Sequence, residues 1–127
     1  MHDLEIKKTK LLIVDDDELS NITLKSLLET ILDNKYEIKS LFTGNDVLEE
    51  IENNRYQIVI LDEKLPGMSG IKILEEIKRK DLKTNVIFLT GYGEEIIEKA
   101  KNLGAVDFIS KGEYDLGRLI DIINNIQ

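Results

Sequence analysis

The stretch LLIVDDDELS, residues 11–20, sets four apolar residues directly against three consecutive aspartates. Such an apolar run is typical of a buried β-strand, and the polar residues after it mark the end of the strand. Burial disfavours a charged carboxylate, and neighbouring carboxylates repel one another. Asp15, Asp16 and Asp17 therefore need a partner that offsets their charge at the end of this strand.

The rest of the chain alternates between short apolar runs and amphipathic segments. Five runs rich in Ile, Val, Phe and Leu are predicted strands: residues 10–15, 36–42, 56–62, 85–90 and 106–110. The first, third and fourth runs are almost continuously apolar, as in central strands that helices cover on both faces. The second run alternates between apolar and polar residues like an edge strand.

Helical spacing of apolar residues predicts a helix after each of these strands. The predicted buried stripes are Leu24, Leu27, Leu28 and Ile31; Val47, Leu48 and Ile51; Leu74 and Ile77; Ile96, Ala100 and Leu103; and Leu116, Leu119, Ile120 and Ile123. Five strands that alternate with five helices predict an α/β fold, a doubly wound (βα)5 sandwich with right-handed crossovers. Ser69, after the turn residues LPGM, is predicted to cap the third helix.

Length and composition limit the possible functions. A chain of 127 residues suits one domain, which we expect to span residues 1–127 with a loosely ordered segment at 1–8. The net charge of −8 disfavours nucleic-acid binding. We expect a cytoplasmic protein, because no membrane span or signal peptide is visible. Without cysteine, and with His2 as the single histidine, thiol chemistry and histidine-based catalytic or zinc sites are excluded.

Polar residues end the predicted strands, at the edge of an open parallel sheet where functional sites lie. They are Asp15, Asp16 and Asp17 after the first strand, Asp62 and Glu63 at the third, Thr90 at the fourth, and Ser110 and Lys111 after the fifth. A cluster of oxygen ligands suits Mg²⁺, with a lysine to offset the remaining charge. The alternative is that the aspartate run only caps the first helix, Asp17 in particular.

A carboxylate beside a divalent ion and an ammonium group can attack phosphorus and form an aspartyl phosphate. Asp62 is the candidate nucleophile, with a turn or helix-cap residue as the alternative. The Thr90 hydroxyl could donate to a phosphoryl oxygen and Lys111 could pair with it. Taken singly, Thr90 is an ordinary strand residue and Lys111 an ordinary surface lysine, so the prediction depends on their common position at strand ends.

These residues lie in the segments KLLIVDDDE, IVILDEKLPGMSG, VIFLTGYG and AVDFISKG. In this order and spacing the chain resembles the receiver domain of two-component response regulators, of the chemotaxis-regulator type. The resemblance covers practically the whole chain. It implies a flavodoxin-like sheet with strand order 2-1-3-4-5.

The resemblance also implies roles for single residues. Asp62 matches the phosphoacceptor, Asp16 the direct metal ligand, and Asp15 a ligand that acts largely through water. The backbone carbonyl of Lys64 matches a further ligand of the Mg²⁺ cofactor.

Three further residues match the switch that responds to phosphorylation. Thr90 matches the switch hydroxyl, Lys111 the phosphate-pairing lysine, and Phe108 the switch aromatic, for which an ordinary core aromatic is the alternative. The chain departs from the family pattern at Gly112, where the family typically has proline. Tyr92, like Lys64, occupies a position at which the family tunes the lifetime of the phosphoryl group.

The function implied is a signalling switch that promotes only its own phosphorylation and dephosphorylation and is otherwise not an enzyme. Its partners would be a sensor histidine kinase or a phosphotransfer protein as donor, and a downstream protein or an effector domain elsewhere in a longer chain as target. The face that changes would be the fourth helix, fifth strand and fifth helix, residues 94–126. The same face could pair two copies into a homodimer.

Three other functions remain open at this point. The D-x-D of Asp15 and Asp17 suits an aspartate-nucleophile phosphatase, although a cap domain is not evident. A receiver-like module could bind partners without taking phosphate. A flavin-binding module is disfavoured, because three carboxylates would repel its phosphate.

Overall fold

The computed structural model describes residues 8–91, 93–111 and 115–126. The predictions for residues 1–7, Tyr92 and Gly112 lie outside these ranges. Strands and helices alternate through the described chain: β1 Thr9–Val14, α1 Glu18–Ile31, β2 Tyr36–Leu41, α2 Val47–Asn53, β3 Ile58–Asp62, α3 Gly70–Arg79, β4 Asn85–Thr90, α4 Glu94–Asn102, β5 Asp107–Ser110 and α5 Leu116–Ile126.

The strands form one parallel sheet in the order β2-β1-β3-β4-β5. This confirms the predicted doubly wound fold and its strand order. Every residue of the central strand β3 is buried, whereas the edge strand β2 alternates between buried and exposed residues in its first half. The difference follows from position, because helices cover both faces of the inner strands.

Two apolar cores lie on opposite faces of the sheet, since successive side chains of a strand point to opposite sides. One core joins Leu28 of α1 and Ile123 of α5 to strand residues such as Ile60. The other joins Ile73 of α3 and Ala100 of α4 to the opposite face. With both faces covered, the carboxyl ends of the strands are where polar side chains can gather. None of the helices in the described part of the chain is long and apolar enough to cross a membrane.

The predicted buried stripe of α1 was wrong at two positions. Leu24 and Leu28 are buried, but Leu27 is 43% exposed and Ile31 is 45% exposed. Leu27 lies at the border of the stripe and lines a surface groove, and Ile31 is the last residue of the helix. Helical spacing indicates which side of a helix faces the core, but the width of the packed contact depends on the neighbouring elements.

The loop between β3 and α3 is fixed closely against the end of β3. Ser69 caps α3 as predicted, because its side chain accepts a hydrogen bond of 3.2 Å from the backbone N–H of Lys72. Gly67 has a positive φ of 87°, which favours glycine. A Cβ atom added at Gly70 would clash with the carbonyl oxygen of Asp62. The start of α3 therefore contacts the backbone of Asp62 directly.

This contact predicts that Gly70 does not tolerate a methyl group. We expect Gly70→Ala to lower the free energy of unfolding by about 1–3 kcal/mol, since backbone atoms must move to make room. Gly91→Ala is the matched control, because a Cβ atom there meets nothing within 4 Å. Urea unfolding of both variants measures the difference. Equal stability of the two variants would show that the approach of α3 to β3 is not this close.

Candidate functional site

Carboxylates from two neighbouring strands meet at the carboxyl edge of the sheet. Val14, the last residue of β1, lies beside Leu61 of β3, so the next residues, Asp15 and Asp62, are neighbours. Both are buried, while Asp16 is exposed. Asp15, Asp16 and Asp62 each place a carboxylate oxygen within 4.8 Å of the others.

An ammonium group closes the other side of this cluster. The Nζ atom of Lys111, directly after β5, lies 2.8 Å from Oδ2 of Asp62 and 3.5 Å from Oδ2 of Asp15. Three carboxylates and one ammonium leave a formal charge of 1 − 3 = −2 at the cluster. The charge that remains is one that a divalent cation would neutralise.

The surroundings shift the pKa values of the central ion pair. Burial raises the pKa of Asp62, and the nearby charge of Asp15 raises it further, while the hydrogen bond and charge of Lys111 oppose the rise. Burial lowers the pKa of Lys111, but the hydrogen bond and the charges of Asp62 and Asp15 outweigh it, so that this pKa is raised. Lysine is therefore held in its charged form, and Asp62 carries its charge at a cost.

Thr90 and Phe108 lie on the strands next to the cluster. Thr90 is buried at the end of β4, one residue after Leu89, which pairs with Asp62. Phe108 on β5 is half-buried against the core of the α3 and α4 face. Lys101 and Arg118 place cations 5.0 Å and 5.8 Å from the centre of its ring, within the range of cation–π attraction.

Two other predicted residues lie outside the carboxylate cluster. Asp17 caps α1, since its Oδ1 accepts a hydrogen bond of 3.1 Å from the backbone N–H of Ser20. This hydrogen bond lowers the pKa of Asp17. Lys64 is exposed in the loop that follows Asp62.

The sequence reasoning missed Asn21. Asn21 is buried in α1 and donates hydrogen bonds to the carbonyl oxygens of Asp15 and Leu41. The signal was present, because Asn21 stands three residues before Leu24 and seven before Leu28, in the buried stripe of the helix. A polar residue in such a stripe indicates a buried hydrogen-bonding role.

The carboxylate cluster suits a magnesium ion. Its ligand atoms are all oxygens, and two of its acids are buried while Asp16 is open to solvent. Mg²⁺ is usually bound by one or two carboxylates and keeps several waters, which an open side permits.

The family model for the response regulator receiver domain matches residues 11–124. This chain belongs to that family. The matched range contains β1 from Leu11 onward and all of the other four strands. It also contains every residue of the carboxylate cluster. Receiver domains are signalling domains of two-component systems, so the predicted family and signalling class are confirmed.

Similar proteins include single domains and longer regulators. Sporulation initiation phosphotransferase F of Bacillus subtilis is 34% identical over 116 residues, which are 90% of this chain and 90% of that protein. The transcriptional regulatory protein DltR of Streptococcus agalactiae is 34% identical over 103 residues. The match covers 80% of this chain and 45% of DltR, so the chain spans less than half of that regulator.

A solved receiver domain has the same architecture. The signal receiver domain of a putative LuxO repressor protein from Vibrio parahaemolyticus superimposes with a TM-score of 0.86 at 31% identity. The superposition covers 94% of this chain and 90% of that one. The described residues therefore have the fold of a receiver domain.

The raised pKa of Asp62 predicts a stabilising substitution. Asp62→Asn removes a buried charge beside Asp15 and leaves Lys111 paired with Asp15. We expect it to raise the free energy of unfolding at pH 7 in EDTA by on the order of 1 kcal/mol. Because the pKa of Asp62 is raised, the contribution of this residue to stability is fully present below its unfolded pKa and is lost as the pH rises through its folded pKa. Urea unfolding across this pH window measures both effects.

The control for this substitution is Asp33→Asn, which changes the net charge equally at an exposed position. It is expected to leave the stability near that of the wild type. If Asp62→Asn were no more stable than Asp33→Asn in EDTA, the carboxylates would not repel one another as the geometry implies.

Proposed function

We propose that this receiver domain is a phosphorylation switch whose phosphoacceptor is Asp62. The observation that carries the proposal is the convergence of Asp15, Asp16 and Lys111 on the Asp62 carboxylate. The donor is a phosphohistidine of a sensor histidine kinase or of a phosphotransfer protein. A cytoplasmic location fits this role and stays a prediction.

The transfer is a displacement at phosphorus in which Asp62 is the nucleophile. One oxygen of the ionised Asp62 carboxylate forms a bond to phosphorus, and the bond between phosphorus and the imidazole nitrogen breaks with its electron pair left on nitrogen. Lys111 holds the Oδ2 atom of Asp62, which orients the carboxylate. A magnesium ion bound by Asp15, Asp16, Asp62 and the backbone carbonyl of Lys64 would supply the positive charge that lowers the repulsion between nucleophile and phosphoryl group.

The response to phosphorylation passes through residues on the neighbouring strands. The Thr90 hydroxyl and the Lys111 ammonium bond the new phosphoryl oxygens, which shifts Lys111 away from its contacts with Asp62 and Asp15. Phe108 then changes its position relative to Lys101 and Arg118, so that the face formed by residues 94–126 changes. That face would bind a downstream protein, an effector domain or a second copy of the chain.

The surface next to the acceptor supports a protein as the donor. The outer side of α1 exposes Leu19 at 77% and Ile22 at 52%, together with Leu27 and Ile31. At helical spacing, Thr23, Ser26 and Thr30 lie beside Leu19 and Leu27 on a side that carries no charge, and Ile22 lies at the border of this side, next to Glu18 and Lys25. A groove of about 500 Å³, lined by Leu19, Leu24 and Leu27, connects this side to Asp15 and Lys111.

The alternatives have less support. An aspartate-nucleophile phosphatase would need Asp17 as its acid, but Asp17 caps α1 outside the carboxylate cluster. A module that no longer takes phosphate would have no reason to bury Asp15 and Asp62 beside each other, because burial of like charges is costly.

Acetyl phosphate tests the assignment of Asp62. With Mg²⁺ present, the wild type is expected to gain the mass of one phosphoryl group, and Asp62→Asn is expected to gain none. Asp17→Asn is the control and keeps the reaction, since asparagine can also cap the helix. Intact mass spectrometry distinguishes these results. A phosphorylated species that persists in Asp62→Asn would overturn the proposal.

If α1 binds the donor protein, a charge added on α1 should slow transfer from a protein donor more than transfer from acetyl phosphate. Ile22→Glu places a further charge at the border of the uncharged side of α1, and we expect it to slow transfer from a phosphorylated kinase or phosphotransfer protein about tenfold relative to transfer from acetyl phosphate. Val106→Glu introduces the same charge at an exposed apolar residue of another surface. Both transfer rates are measured with a labelled phosphoryl group, as the loss of label from the donor and its gain on the receiver domain. If Ile22→Glu and Val106→Glu slowed transfer from the protein donor equally, relative to transfer from acetyl phosphate, α1 would not be part of the surface that binds the donor.

A further inference from the structure

Asn21 is the one buried polar residue of the described chain that the proposed mechanism does not use. The other three are Asp15, Asp62 and Thr90, all at the candidate site. Asn21 is 1% exposed, in the first turns of α1, between the ends of β1 and β2. This buried amide lies about one helical turn after the aspartates of residues 15–17.

The Asn21 side chain contacts three backbone carbonyls and one side-chain hydroxyl. Its Nδ2 atom donates to the carbonyl oxygens of Leu41 at 2.9 Å and Asp15 at 3.0 Å, and the carbonyl oxygen of Ile13 lies at 3.5 Å. Its Oδ1 atom accepts a hydrogen bond of 2.6 Å from the hydroxyl of Ser40. An amide has two N–H groups to donate, so the two shorter contacts use both.

The carbonyl of Asp15 lies just past the regular strand pairing. The pairing of β1 with both neighbouring strands ends at Val14. Beyond it, the backbone N–H of Asp15 donates to Leu41 and the carbonyl of Asp15 receives the Asn21 amide. Asn21 thus connects the ends of β1 and β2 at the residue where the acidic run begins.

Holding this carbonyl also positions the Cα atom of Asp16. The peptide bond is planar, so the carbonyl of Asp15 and the Cα atom of Asp16 belong to one rigid unit. Asp16 itself is exposed, so the placement of its Cα atom depends on this backbone unit. The carboxylate of Asp15 is fixed as well, because its Oδ1 atom accepts a hydrogen bond of 3.0 Å from the backbone N–H of Asp17.

We infer that Asn21 is a positioning residue that holds the peptide between Asp15 and Asp16, so that both carboxylates face Asp62 despite their repulsion. The inference rests on the proposed function, since the Mg²⁺ ligands are those named there. Partners that orient metal ligands typically change metal affinity about 10- to 100-fold when they are lost.

Asn21→Leu removes the amide and keeps a buried side chain of similar size. Leu28→Ala is the matched control, since Leu28 belongs to the same buried stripe of α1 and does not line the groove at Asp15. Two measurements are made on each variant under conditions in which the variants are folded to the same extent, as determined by urea unfolding. The first is the Mg²⁺ dissociation constant from isothermal titration calorimetry. The second is hydrogen exchange of the Asp17 amide by NMR in EDTA.

The expected result is that Asn21→Leu raises the Mg²⁺ dissociation constant about tenfold or more relative to Leu28→Ala, and speeds exchange of the Asp17 amide in the metal-free protein. If Asn21→Leu does not fold, Ser40→Ala, which frees the Oδ1 side of the amide, is expected to shift both readouts in the same direction by less. Readouts equal to those of the control would make Asn21 a purely structural residue and overturn the inference.

The two readouts separate this inference from the proposed function. A wild type that binds no Mg²⁺ would contradict the proposed function. The exchange of the Asp17 amide then still decides the positioning role, because it is measured without metal.

Discussion

The repulsion among Asp15, Asp16 and Asp62 is the constraint on which the arrangement of the site depends. Two of these acids are buried, and their oxygens lie within 4.8 Å of one another. Lys111 offsets part of the charge through its contacts with Asp62 and Asp15. What remains is negative, so the site is suited to a cation and, with that cation, to a phosphoryl group.

The fold holds these carboxylates close together although they repel one another. β3 is buried along its whole length between β1 and β4, and Gly70 lets α3 begin directly against the carbonyl of Asp62. Lys111 reaches the centre of the sheet from the edge strand β5, on which Phe108 also lies. In the proposed switch, a change of charge at Asp62 would act on β5 through this one side chain.

Much of the fold could be predicted because burial on both faces leaves a plain pattern in the sequence. The continuous apolar runs of β1, β3 and β4 indicated inner strands, and the alternation in residues 36–42 indicated an edge. The strand ends indicated that Asp15, Asp62 and Lys111 share one edge, since parallel strands end together. Contacts that depend on how elements approach one another were less accessible. The exposure of Leu27, the close approach at Gly70 and the hydrogen bonds of Asn21 all required the packed structure. The functional roles of the site residues stay predictions: Asp15, Asp16, Asp62, Lys64, Thr90, Phe108 and Lys111.

The most direct test of the central claim is a crystal structure of the protein with Mg²⁺ and beryllofluoride, which mimics a phosphoryl group. The account predicts beryllium bonded to a carboxylate oxygen of Asp62, the metal ion held by the acidic cluster, and the ammonium of Lys111 against a fluoride. A metal ion bound away from Asp15, Asp16 and Asp62, or beryllofluoride bound to another residue, would contradict it.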